Sequence, residues 1–379
     1  MVSLAAAVLA LGIADSMVGS YAVLFAADQA GMTPLQVGIF ASAPSIGGIV
    51  VSWLLGRRFD RRPTRRYVPV VTLLGALGLV LMTFTTSFPV LVLLALTLLG
   101  GVAAAFPQLF ALARVASGDG AVGQRAAPLL RSAWSLAWAV GPLFGAILLT
   151  RSAFTTVLRG AAVALVLTGI IVLTVPPVGS TPPRDTDQRA AASARSPSRR
   201  VGVALMTMSV GLFFLAMFAG SVVLPLFVTR SLHQPASAVG LLFSACAGVE
   251  VVAAVALAAV PSWVSQRGLI LAAMVAFVVY FAVTVVARGL LLLLVGQVAR
   301  GVAIAVVGAA GIRFFQEVLA PATGRATTLF SNASTAGSLV AGVLAGASVG
   351  FFGYSTTLLL CGVAAAAAVL LFYLGTHGM

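Results

Sequence analysis

The sequence contains no lysine, a single asparagine (Asn332), eight acidic residues, two histidines and two cysteines among 379 residues. Each shortage excludes something. Only 8% of the chain is charged, against about 25% in a soluble globular domain, so a water-soluble enzyme or binding module is excluded. Cys246 and Cys361 sit in separate apolar runs with no Cys or His at ligand spacing, which excludes a disulfide framework or thiolate metal site. They read as buried packing residues. His233 falls in a polar break and His377 in the C-terminal tail, so neither is placed for metal binding or catalysis. No Walker loop, HExxH or serine-elbow motif occurs, which argues against an ATP-driven pump or an enzyme, and no cofactor or metal is expected. The first apolar run, Val2 to Ala27, lacks a basic flank and exceeds a signal-peptide core; it reads as a retained helix.

What is present is hydrocarbon and arginine. Hydrophobic residues make up 61% of the chain, and its mean hydropathy is +1.13. Spanning a bilayer takes about 20 apolar residues per helix. Gly, Pro and Arg punctuation divides the sequence into twelve such stretches, near 3–27, 35–55, 68–86, 89–113, 123–150, 154–175, 201–229, 236–260, 268–287, 289–314, 322–350 and 352–374. One long Pro-, Ser- and Arg-rich break, 176–200, separates six spans from six. The expected architecture is an all-α polytopic membrane protein of twelve transmembrane helices in two six-helix halves, 1–175 and 201–379. The net charge of +14 comes from arginines scattered between apolar runs and not from one basic face, which points away from nucleic acid and towards an anionic leaflet. With the N-terminus inside, sixteen of the 22 arginines fall on the cytoplasmic side and three (Arg151, Arg230, Arg288) outside. The positive-inside rule then places both termini in the cytoplasm.

The stretch GRRFDRRPTRRY, 56 to 67, concentrates six arginines and Asp60 between spans two and three. This Gly-x-x-x-Asp-Arg cluster within a six-plus-six plan resembles the major facilitator superfamily of secondary transporters, through Gly56, Asp60, Arg61, Arg65 and Arg66. Pro63 stands where that superfamily usually has a second glycine. The resemblance implies that Asp60 pairs with arginine and a helix end to latch one conformation; a purely topological role for the arginines is the alternative. The equivalent place after span eight reads PSWVSQRG, 261 to 268, which keeps Arg and Gly without an acid. Four further stretches, FPQLFALAR (106 to 114), LRSAWSLAWAVGP (130 to 142), AGVEVV (247 to 252) and FFQEVLAPATGRATTLFSN (314 to 332), are similar to the sugar efflux transporter family within that superfamily. An acid at Asp15 departs from that family's pattern. The resemblance implies export of a small solute, a sugar or glycoside, in exchange for protons by alternating access, in a bacterial cytoplasmic membrane.

An ionised side chain in a span costs at least about 2.5 to 3.5 kcal/mol at the bilayer centre and needs a reason. Three acids lie in spans: Asp15, Glu250 and Glu317. At about 1.5 Å per residue, Asp15 and Arg131 reach similar depth, and Glu250 and Arg300 differ by roughly 5 Å, so each couple is a candidate pair. Glu317 follows Arg300 by about 25 Å of helix and belongs at the cytoplasmic end as a gate. Such acids either carry protons or hold helices in register as fixed ion pairs. On span five, Arg131, Trp134, Ser135 and Trp138 share one helical face. That stripe either stacks on a sugar ring or is ordinary packing. Asn332, Gln108 and Gln297 are further candidates for the substrate cavity or for interhelical bonds. An exporter of drugs or natural products, with Asp15 recognising a cation, is the nearest rival, and a non-transporting receptor on the same fold is the third reading. The expected partners are a small-molecule substrate, protons and lipid, with the chain acting as a monomer.

Overall fold

A computed structural model describes residues 2–61, 64–117, 121–176, 197–261 and 263–377. Among these residues the regular structure is helical throughout. In chain order the helices are α1 (Val2–Leu24), α2 (Pro34–Arg61), α3 (Tyr67–Met82), α4 (Phe88–Leu94), α5 (Gly100–Val102), α6 (Ala105–Ser117), α7 (Ala121–Arg151) and α8 (Phe154–Leu173). There follow α9 (Pro197–Leu226), α10 (Ser237–Ala258), α11 (Gln266–Val286), α12 (Leu290–Val318) and α13 (Thr323–His377). Ten helical segments are long and apolar enough to cross a membrane, and α3 is a shorter apolar helix. The 55-residue α13 is interrupted at Gly353, where φ is 79° and ψ is 177°, a region of backbone space that only glycine enters readily. The break lies within a few residues of the boundary that the hydropathy pattern sets between the last two stretches, 322–350 and 352–374.

The described chain divides into two units, residues 1–184 with 235–247, and residues 185–234 with 248–379. In the first, α1 packs against α7 and α8, and α3 against α8. In the second, α9 packs against α13, and α11 against α12 and α13. Each unit's first helix ends in a tight π-helical turn closed by the same two bonds. In one, Ala30 N–H donates to Phe25 O and Met32 N–H to Ala26 O; in the other, Leu232 N–H donates to Phe227 O and Gln234 N–H to Val228 O.

Without water in hydrocarbon, polar groups must be satisfied inside the protein. Hydroxyls in these helices return to the preceding turn: Thr72 to Val68 O at 3.0 Å, Thr168 to Ala164 O at 2.9 Å, Thr284 to Tyr280 O at 2.7 Å. Two others stitch helices together. Ser16 Oγ donates to Ala137 O at 3.3 Å, joining α1 to α7, and Ser209 Oγ donates to Ala368 O at 2.6 Å, joining α9 to α13. Close backbone approach does the rest. A β-carbon at Gly337 would lie 2.7 Å from both Gly211 O and Leu215 N, so α13 meets α9 nearly main chain to main chain. The outward faces are as apolar as the inner ones: on α3, Val68, Val71, Gly75 and Leu79 are buried while Val70, Leu73, Leu77 and Leu81 are exposed. That arrangement suits lipid on the outside.

Candidate functional site

In the first unit the polar centre is built on α1 and α7. Gly12, Asp15 and Gly19 lie within two turns of α1. Their glycines leave notches: a β-carbon at Gly12 would lie 2.6 Å from Cβ of Ala137 and 3.3 Å from Cε3 of Trp134, and one at Gly19 would lie 3.2 Å from Cη2 of Trp138. The two indoles of α7 are thereby seated a turn to either side of Asp15. The indole N–H of Trp138 approaches the Asp15 carboxylate without closing a hydrogen bond of full geometry. Trp134 is in ring contact with Phe106 of α6 at 4.4 Å, and Phe106 with Phe110 at 4.6 Å, so an aromatic wall continues away from the acid. Asp15, Trp134, Ser135 and Trp138 are half-buried, and Arg131 is exposed two turns before Trp138. Gln108 on α6 is buried at 5% exposure, and its carbonyl oxygen has no hydrogen-bond partner among the described residues.

In the second unit the centre is Arg300 on α12, at 4% exposure. One guanidinium nitrogen donates to Ser221 Oγ of α9 at 2.6 Å and the other to Gln297 Oε1 at 3.2 Å. Its guanidinium carbon lies 5.6 Å from the ring centre of Tyr280 on α11. Gln297 is itself fully buried and sends its amide to Leu293 O at 3.4 Å. Three helices therefore meet around one cation. Glu250 is half-buried on α10, in the stretch belonging to this same unit. Ser221 and Tyr280 were not marked by the sequence, where each is only a polar residue within an apolar helix.

Glu317 is exposed at the end of α12, where Gln266 Nε2 at the start of α11 donates to its Oε1 at 2.7 Å. Beside it Arg267 lies 5.4 Å from the Tyr373 ring, which stacks on His377 at 5.1 Å. Asn332 is exposed on α13. At the end of α2, Gly56 has open space around it and the Arg57 guanidinium lies 4.0 Å over Trp53. Arg65 is half-buried and Arg66 exposed before α3. The side chains of Asp60 and Arg61, Pro63, Ser262 and the greater part of the 176–200 break, 177–196, lie outside the described residues. Cys246 and Cys361 are both buried, as expected of packing residues.

The sequence profile of the Major Facilitator Superfamily matches residues 4–289. The chain belongs to the major facilitator superfamily. Within it, the chain is 36% identical to the "Putative sugar efflux transporter" of Deinococcus radiodurans over 96% of its own length and 94% of that protein's. It is 28% identical to Sugar efflux transporter B of Salmonella typhimurium over 90% of its length and 87% of that protein's. Its fold is similar to the crystal structure of the nucleoside transporter NupG, with a TM-score of 0.81 and 14% identity over 98% of this chain and 97% of that one. It is also similar to a bacterial homologue of the lysosomal transporter Spinster, with a TM-score of 0.75 and 12% identity over 100% and 96%. The chain is a multi-pass membrane transporter of this superfamily, with sugar efflux transporters among its relatives.

Proposed function

We propose that the protein is a secondary active transporter that exports a small organic solute, a sugar or glycoside, in exchange for protons by alternating access. The observation that carries the substrate class is the 36% identity to a protein named for sugar efflux, which extends along almost the whole chain. Twelve spans in two six-helix halves, 1–175 and 201–379, joined by the 176–200 linker, form the machine. Support for two related halves comes from the matched π-turn endings of α1 and α9. The arginine distribution supports cytoplasmic termini in a bacterial plasma membrane.

In this reading Arg300, held by Ser221, Gln297 and Tyr280, is the fixed cation of the second unit, and Glu250 is the acid that answers it. A proton taken up by Glu250 removes its charge and releases the pair's hold on the helices, coupling proton entry to the change of state. Asp15 and Glu317 are the other proton-handling candidates, with Asp60, Gly56, Arg61, Arg65 and Arg66 as the latch. Trp134, Ser135, Trp138, Asn332, Gln108 and Gln297 contribute substrate contacts. A second reading, export of cationic lipophilic compounds by the same fold, is favoured by one observation, the acid seated between two indoles.

The test is accumulation of a radiolabelled non-metabolisable glucoside in cells expressing the chain. Lower accumulation than in vector-only cells, restored by a protonophore, is expected. Unchanged accumulation of every glucoside, with lipophilic cations excluded instead, would transfer the function to the second reading.

A further inference from the structure

The acid on α1 is surrounded in a way that neither helix register nor proton handling requires. A neutral sugar site presents several hydrogen-bond donors and acceptors to a ring of hydroxyls. Around Asp15 the polar complement is thin. Ser16 Oγ, the adjacent hydroxyl, is committed to Ile13 O at 3.1 Å and Ala137 O at 3.3 Å. Among the described residues, the donor that approaches the carboxylate is the indole of Trp138, which does not complete the bond. The positive side chain expected opposite it, Arg131, is exposed on α7. What the site supplies in quantity is π surface. The notches at Gly12 and Gly19 hold Trp134 and Trp138 on either side of the acid, both half-buried, and Phe106 and Phe110 extend the wall. An anion flanked by two indoles is complementary to an organic cation: the carboxylate answers the charge, and the indoles offer π surface to the ammonium and its attached carbons.

We propose that Asp15, with the indoles of Trp134 and Trp138, recognises a protonated amine, so that the exported solute is an amino-bearing sugar. This rests on the sugar-export reading for the ring and adds the charged substituent. It also gives a physical reason for an acid in the middle of α1. The cost of a carboxylate in a span is offset when the solute brings the countercharge.

The test is equilibrium binding to the purified full chain in nanodiscs, with glucosamine, glucose, N-acetylglucosamine and cyclohexylamine as probes, on the native protein and on Asp15→Asn, Asp15→Glu and Trp138→Leu. Glucosamine is expected to bind at least about tenfold more tightly than glucose or its N-acetyl analogue, the scale of a desolvated cation–π contact. That preference should vanish in Asp15→Asn, persist in Asp15→Glu and shrink in Trp138→Leu, whose intact carboxylate also controls for misfolding. Equal affinity for glucosamine and glucose, or a preference that survives in Asp15→Asn, overturns the inference and leaves sugar export standing. Asp15-dependent binding of cyclohexylamine as tight as glucosamine, with no affinity for either neutral sugar, upholds amine recognition and overturns the sugar reading. No binding of any of the four probes by monodisperse protein overturns both.

Discussion

At the scale of the residue, the clearest demand is made by Arg300. A guanidinium at 4% exposure inside an apolar helix survives because it donates to two side chains, on α9 and on its own α12, and lies beside a third on α11. Lysine offers one compact ammonium and cannot reproduce that fork. Arg300→Lys and Arg300→Met are therefore both expected to lower substrate counterflow at least about tenfold, because each strands buried polar groups that the guanidinium now satisfies. Counterflow rates normalised to monodisperse protein check this. Retention of more than half the native rate in Arg300→Lys would show that charge alone suffices.

At the scale of the element, two glycines test the account of how these helices pack and end. A β-carbon at Gly337 would strike the backbone of α9 at Gly211 and Leu215, and main chain cannot swing aside as a flexible side chain can. Gly337→Leu should spread α13 from α9 and destabilise the protein by about 1–3 kcal/mol or more, read as a lower thermal unfolding temperature in detergent. Gly353→Ala meets a different obstacle. Its φ of 79° with ψ of 177° costs a side chain on the order of 1–3 kcal/mol, although there is open space around the site. The same thermal assay should show a loss, and an unchanged unfolding temperature would mean that the break between the two parts of α13 can form with ordinary backbone angles.

Much of this was legible in the sequence, for a physical reason. Bilayer thickness fixes helix length, so hydropathy alone placed the helices to within a few residues, including the separation of two stretches at the Gly353 break. The deep position of Arg300 was legible too, from its place inside a long apolar run, although Arg131 in a similar run on α7 is exposed. The partner of Arg300 on α9 was not legible. Ser221 lies 79 residues away on another helix, and only tertiary packing selects it from the other hydroxyls. Trp134, Ser135 and Trp138 could be placed on one face from their spacing, but the notches at Gly12 and Gly19 that seat the indoles could not, since glycine and alanine recur throughout these helices. The π-turn endings were illegible because they depend on one extra residue in a turn and leave no compositional mark.

At the scale of the whole molecule, the proposed exchange turns on Glu250 as the acid that carries protons against solute. A fixed ion pair would hold helices together equally well with no solute present; a coupling acid must change protonation as the solute moves. The most direct measurement follows internal pH with a trapped dye in proteoliposomes, after adding mono- and disaccharides, glycosides and amino sugars to native protein and to Glu250→Gln. Proton-coupled export predicts a solute-dependent pH change in the native protein that is abolished in Glu250→Gln, while the variant still exchanges labelled solute across the membrane. Proton movement that persists in Glu250→Gln, or solute exchange by native protein with no pH change, would contradict it.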